Sequence, residues 1–121
     1  MSFYTDELMD IYREGRNKGV LVERTHESRA LNSLCGDEAI LHVLISDGII
    51  IDTKFSGDSC AISSVYSSLL LDKIKGMSLA QLNELSGDDV LDLVDVKLSP
   101  SRIRCALLSL HALKILKEIQ K

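Results

Sequence analysis

Three thiols and one carboxylate stand out in this 121-residue sequence: Cys35, Asp37, Cys60 and Cys105. Cys35 and Asp37 are separated by Gly36 alone, inside "LNSLCGDEAILHVLI". Thiolates bind zinc and iron and attack sulfur, and a carboxylate beside three thiolates completes a four-coordinate site. The spacing is loose, with 25 positions from Cys35 to Cys60 and 45 from Cys60 to Cys105, and no C-x-x-C knuckle occurs. Spacing alone therefore leaves a second reading open, in which the cysteines are small core hydrophobes and Asp37 is a turn former.

The elements that must position these groups separate the two readings. Cys35 falls in a loop before an apolar run, Cys60 at the first turn of a middle helix, and Cys105 near the start of a last helix. Helix N-termini favour the thiolate, and the charges of Arg102 and Arg104 beside Cys105 act in the same direction. Gly36 and Gly57 allow tight turns and a close backbone approach.

Around them, "TDELMDIYRE" (5–14) predicts a first helix with Thr5 as N-cap, and "VLVERT" (20–25) a short strand. "EAILHVLIS" and "IIIDTKF" flank Asp47-Gly48, the pattern of a hairpin with a type I′ turn. Asp58 or Ser59 is placed to cap a helix running to about Lys75 and stopping at Gly76. "SLAQLNEL" has a capping-box pattern, Ser78 with Gln81, and "GDDVLDLV" reads as a further short helix. "SPSRIRCALLSLHALKILKEIQK" predicts one long last helix with Ser99 as N-cap and Pro100 in its first turn. Ile103, Ala106, Leu107, Leu110, Leu113 and Leu116 form its core stripe. This order predicts an α+β domain spanning 1–121.

Composition sets the outer bounds. Net charge is −4 and only five residues are aromatic, which argues against nucleic-acid binding. No stretch approaches the ~18 apolar residues of a membrane span, and the mixed-charge start holds no signal-type apolar run. The expectation is a cytoplasmic protein, monomer or dimer, with three cysteines that do not form a disulfide framework. A cysteine hydrolase would need a histidine beside a thiol. His26 in a polar loop, His42 within a strand and His111 six residues after Cys105 have no sequence claim to that role. A purely structural zinc module would unfold without metal, whereas a core of this size is expected to fold alone.

The segments "CGDEAILHVLISDGIIIDTKFSGDSCAIS" and "SPSRIRCALLSLHAL", together with "IYREGRNKGVL", resemble the iron–sulfur cluster assembly scaffold family: IscU, SufU and the N-terminal part of NifU. The likeness runs over about residues 8–114. It implies a three-stranded antiparallel sheet with helices packed mainly on one face. It also implies that Cys35, Asp37, Cys60 and Cys105 converge as metal and cluster ligands. The implied cargo is a transient [2Fe–2S] cluster built from Fe2+ and persulfide sulfur, and Cys35 and Cys105 are the candidate persulfide acceptors. The implied partners are a pyridoxal-phosphate cysteine desulfurase and apo iron–sulfur proteins or carriers. Arg104 before the third cysteine resembles the SufU branch, and the short connection from Cys60 to Cys105 resembles IscU. The favoured expectation is a scaffold that is not an enzyme in the usual sense. The alternative is a zinc-dependent sulfur relay, with Zn2+ held by Asp37 and the three cysteines.

Overall fold

A computed structural model describes residues 6–33 and 36–118, with the side chains of 117 and 118 excepted. The expected Thr5 cap and Cys35 itself lie outside the described residues.

Helix α1 (Asp6–Glu14) carries acids in its first turn and an arginine in its last, charges that suit the helix dipole. It packs on α2. The sheet that follows contains β1 (His26–Asn32), β2 (Asp37–Ser46) and β3 (Ile49–Ser56), all antiparallel. A two-residue strand, β4 (Lys117–Glu118), pairs with the start of β1 and gives the order β3-β2-β1-β4. Asp47 and Gly48 at the β2–β3 turn both have positive φ, +53° and +75°, as a type I′ turn requires.

The strand expected at 20–25 is absent, and β1 takes up the next seven residues instead. His26, read as part of a polar loop, opens that strand. The strand is hard to read because its inward positions are Ser28, Ala30 and Asn32, paired with Leu41, Ala39 and Asp37. Small and polar residues on that face hide its period of two. Segment 17–25 instead runs from the β3 edge across the outer face of the sheet. Gly19 N–H donates to Phe55 O, Leu21 N–H to His42 Nδ1, and Thr25 N–H to Val43 O.

The inner face carries Ala39, Leu41, Val43, Thr53 and Phe55, all buried. Onto it pack α2 (Ala61–Ile74) and α6 (Leu108–Lys114). Helix α2 is buried along most of its length, with Val65, Tyr66, Leu70, Leu71 and Ile74 at 0–1% exposure. Its four buried serines are each hydrogen bonded. Ser64 pairs with Ser59, Ser67 with Ser109, and Ser68 donates to the Ser64 carbonyl. Ser63 belongs to the site described below.

Two short helices, α3 (Leu79–Asn83) and α4 (Gly87–Leu91), close the connection to α5 (Pro100–Ala106). Each opens on a full capping box, Ser78 with Gln81 and Ser86 with Asp89. Ser99 occupies the N-cap position of α5 without a side-chain cap bond. The single last helix expected from the sequence is broken at Leu107 (φ −92°, ψ 0°) into α5 and α6. At the break, the Ser63 hydroxyl donates to the Cys105 carbonyl, which a continuous helix offers to the N–H of Ser109. A side chain inserted into the helical ladder is a known source of such breaks.

Candidate metal and sulfur site

The site forms at one end of the sheet, where β1 meets β2 and α2 begins. Asn32 pairs with Asp37 across the first hairpin, and only residues 33–36 connect them. Gly36 adopts φ +75° and donates its N–H to the Asn32 carbonyl. This connection contains Cys35 by sequence.

The loop after β3 docks onto the same place. The Glu38 N–H donates to the Asp58 carbonyl at 2.7 Å, which carries the start of α2 alongside Asp37. Cys60 is itself the N-cap of α2: its sulfur accepts the Ser63 N–H at 3.5 Å. This corrects the cap expected at Asp58 or Ser59. Cys60 is exposed, whereas Asp37 and Cys105 are buried.

Cys105 reaches the site from α5, which packs on α2. Because the helix breaks at Leu107, Cys105 lies in the last turn of a seven-residue helix. The expected effect of a helix N-terminus on Cys105 therefore does not apply, and its approach comes from the α2–α5 packing instead. Asn32 Nδ2 donates towards its sulfur at 3.8 Å.

One ligand atom each from Asp37, Cys60 and Cys105 lies within 4.8 Å of the others. A tetrahedral zinc with Zn–S bonds of ~2.3 Å separates its sulfur ligands by about 3.7 Å. The donor set, two sulfurs and a carboxylate oxygen, is one that zinc and iron accept. The three residues therefore fit a metal.

Two contributors escaped the sequence reading. Ser63 sends its hydroxyl to Asp37 Oδ2 at 3.0 Å and to the Cys105 carbonyl at 3.0 Å. Its signal was its place three residues after Cys60, the position whose N–H an N-cap accepts. Asn32 has no sequence signal, because only pairing across the hairpin brings it near Cys105.

The histidines are accounted for elsewhere. His42 is buried on the outer face, with Nδ1 accepting from Leu21 N–H and Nε2 3.3 Å from Glu27. Burial, together with the nearby Arg24 charge, lowers its pKa below 6.5 against the opposing pull of Glu27. His26 lines a cavity with Leu79, Leu82 and Leu113, at the opposite end of β1 from Asn32. His111 is exposed on α6. Among the described residues, the group of three close ligand atoms contains no histidine.

This thiol–carboxylate arrangement on a small antiparallel sheet coincides with a sequence match to the NifU-like N terminal domain over residues 3–118. The chain belongs to that family. A relative from Thermotoga maritima, "Iron-sulfur cluster assembly scaffold protein IscU", is 28% identical over 98% of this chain and 95% of its own length. "Zinc-dependent sulfurtransferase SufU" from Bacillus subtilis is 32% identical over 93% of this chain and 88% of its own. Among solved structures, a putative SUF-system scaffold from Fervidobacterium islandicum superposes with a TM-score of 0.77 at 26% identity. The superposition covers 93% of this chain and 95% of that one. As a member of the NifU-like family the chain has the expected α+β fold, with helices mainly on one face of the sheet. Among the described residues, no helix is long and apolar enough to cross a membrane.

Proposed function

We propose that the protein is an iron–sulfur cluster assembly scaffold that receives sulfur from a cysteine desulfurase and passes a [2Fe–2S] cluster to apo-proteins. The observation that carries this reading is the convergence of Asp37, Cys60 and Cys105 within 4.8 Å at one end of the sheet. Cys35, tied by the chain to Asp37, is the fourth ligand in this proposal. Iron and persulfide sulfur are substrates and the cluster is cargo.

Sulfur enters by thiol exchange. An acceptor thiolate, Cys35 or Cys105, attacks the terminal sulfur of the desulfurase persulfide. The persulfide S–S bond breaks, the desulfurase thiolate leaves, and the acceptor now carries the persulfide. Reduction of that sulfur to sulfide takes two electrons from an external donor. The exposure of Cys60 beside buried Asp37 and Cys105 suits a cluster that is handed on, since one side of the site faces solvent. A mixed thiolate and carboxylate ligand set also holds iron less tightly than four thiolates.

A second reading is a zinc-dependent sulfur relay, and Arg104 directly before Cys105 favours it. In that case zinc is resident, and the same four residues hold it. It would fix the conformation of the site while a thiol is freed to accept sulfur.

Anaerobic reconstitution with iron, cysteine and a catalytic amount of desulfurase separates the two. Sulfide-to-iron charge-transfer bands with near-equal iron and sulfide support the scaffold. Absent bands, retained zinc and zinc-dependent stimulation of the desulfurase support the relay.

A further inference from the structure

We infer that Ser63 is a positioning residue of this site, holding the Asp37 carboxylate in register with Cys60 and Cys105 for metal binding. The inference rests on the four-ligand reading above and adds a residue that this reading does not include.

Ser63 touches all three of the described candidate ligands. Its N–H donates to Cys60 Sγ at 3.5 Å, and its hydroxyl faces Asp37 Oδ2 and the Cys105 carbonyl, each at 3.0 Å. Its side chain thus ties α2, which Cys60 caps, to groups on β2 and α5. The contact is sequestered: Ser63 is 1% exposed and Asp37 7%. A carboxylate at such depth takes its orientation from its protein partners, because water cannot replace them. Hydrogen bonds to ligating carboxylates set their orientation and weigh on metal affinity.

The hydroxyl has one proton and two acceptors at equal distance. It therefore couples the Asp37 carboxylate to the α5 backbone beside the Cys105 thiol. Loss of the hydroxyl releases both at once, while the Ser63 N–H still caps α2 through Cys60.

The test is a double-mutant cycle read by zinc affinity, with zinc alone as the probe, in competition with a chromophoric chelator. Wild type, Ser63→Ala, Ser63→Thr, Asp37→Ala and the Ser63→Ala/Asp37→Ala pair are compared, and urea unfolding of each metal-free chain is followed alongside. The expected result is a loss of about 10–100-fold in zinc affinity for Ser63→Ala, restored by Ser63→Thr. In the Asp37→Ala background, Ser63→Ala should have a clearly smaller effect, because the part of the hydroxyl's role that acts through the carboxylate is already gone. Wild-type affinity in Ser63→Ala, or equal losses with and without Asp37, overturns the inference. So does unfolding of metal-free Ser63→Ala, which would assign the hydroxyl to the fold alone. If Asp37→Ala itself leaves zinc affinity unchanged, the four-ligand reading falls as well. If Asp37→Ala weakens zinc and Ser63→Ala does not, only the role of Ser63 falls.

Discussion

The backbone of Gly57 passes so close to Glu38 that a Cβ on Gly57 would lie 2.5 Å from the Glu38 carbonyl oxygen. With the hydrogen bond from Glu38 N–H to the Asp58 carbonyl, this contact sets the loop before Cys60 directly against the residue after Asp37. Ligand groups far apart in sequence meet here because two backbones can touch.

Gly57→Ala is therefore expected to be costly. Gly57 holds φ +109°, and the added methyl must displace a backbone carbonyl, which cannot swing aside as a side chain can. The expected loss is about 2–3 kcal/mol of unfolding free energy, with weakened zinc or cluster binding. Gly36→Ala is the contrast: φ is +75°, but a Cβ there meets nothing within 4 Å. It should cost about 1–2 kcal/mol, the left-handed penalty alone. Urea titration of both variants checks the difference, and equal losses would remove the Glu38 contact as the cause.

Cys60→Ser, Cys105→Ser and Cys35→Ser should each abolish stable cluster binding in the reconstitution. Asp37→Ala should alter cluster lifetime or zinc affinity. The Cys35 variant carries particular weight, because its place in the proposed ligand set rests on its position two residues before Asp37 in the sequence. Full cluster on any one variant, measured by iron and sulfide content, would take that cysteine out of the ligand set.

Acid should weaken the fold through His42. Its folded-state pKa lies below the ordinary 6.5, so the unfolded chain takes up the proton first as pH falls. The stability due to neutral His42 is complete above about pH 6.5 and is lost progressively as pH drops towards its folded value. His42→Ala should flatten that slope, at a cost of about 1–3 kcal/mol for leaving the Leu21 N–H without its acceptor. Urea unfolding between pH 8 and pH 5 measures both effects, and an unchanged slope in the variant would assign it to other groups.

Metal removal should leave the chain folded. The core gathers Leu41, Val43, Ile50, Phe55, Val65, Tyr66, Leu70, Leu71 and Ile74, none of which is a candidate ligand. Chelated protein should therefore still unfold cooperatively. Zinc at 100 times its dissociation constant should add about 2.7 kcal/mol, since it binds the folded form. Loss of cooperative unfolding in chelator would make the metal structural.

Much of this architecture is legible in the sequence because its causes are local. Asp47-Gly48 names its own turn through the positive φ both positions require, and Ser78 with Gln81 names a helix start through bonds within four residues. The motifs around Cys35, Cys60 and Cys105 carry the family in the same way. What the sequence could not supply depends on partners distant along the chain. β1 is invisible until β2 lies beside it, because Ser28, Ala30 and Asn32 make no apolar pattern. The last helix reads as continuous, and its break at Leu107 accompanies a hydroxyl arriving from α2, 42 residues earlier than the carbonyl it meets. Chain-local propensities determined which residue types could bind metal or sulfur and which elements carry them. Only the packing of α2 against the sheet and α5 decided that Asp37, Cys60 and Cys105 share one end of the sheet, with Ser63 between them, since contacts across such separations follow from the shape of the whole core.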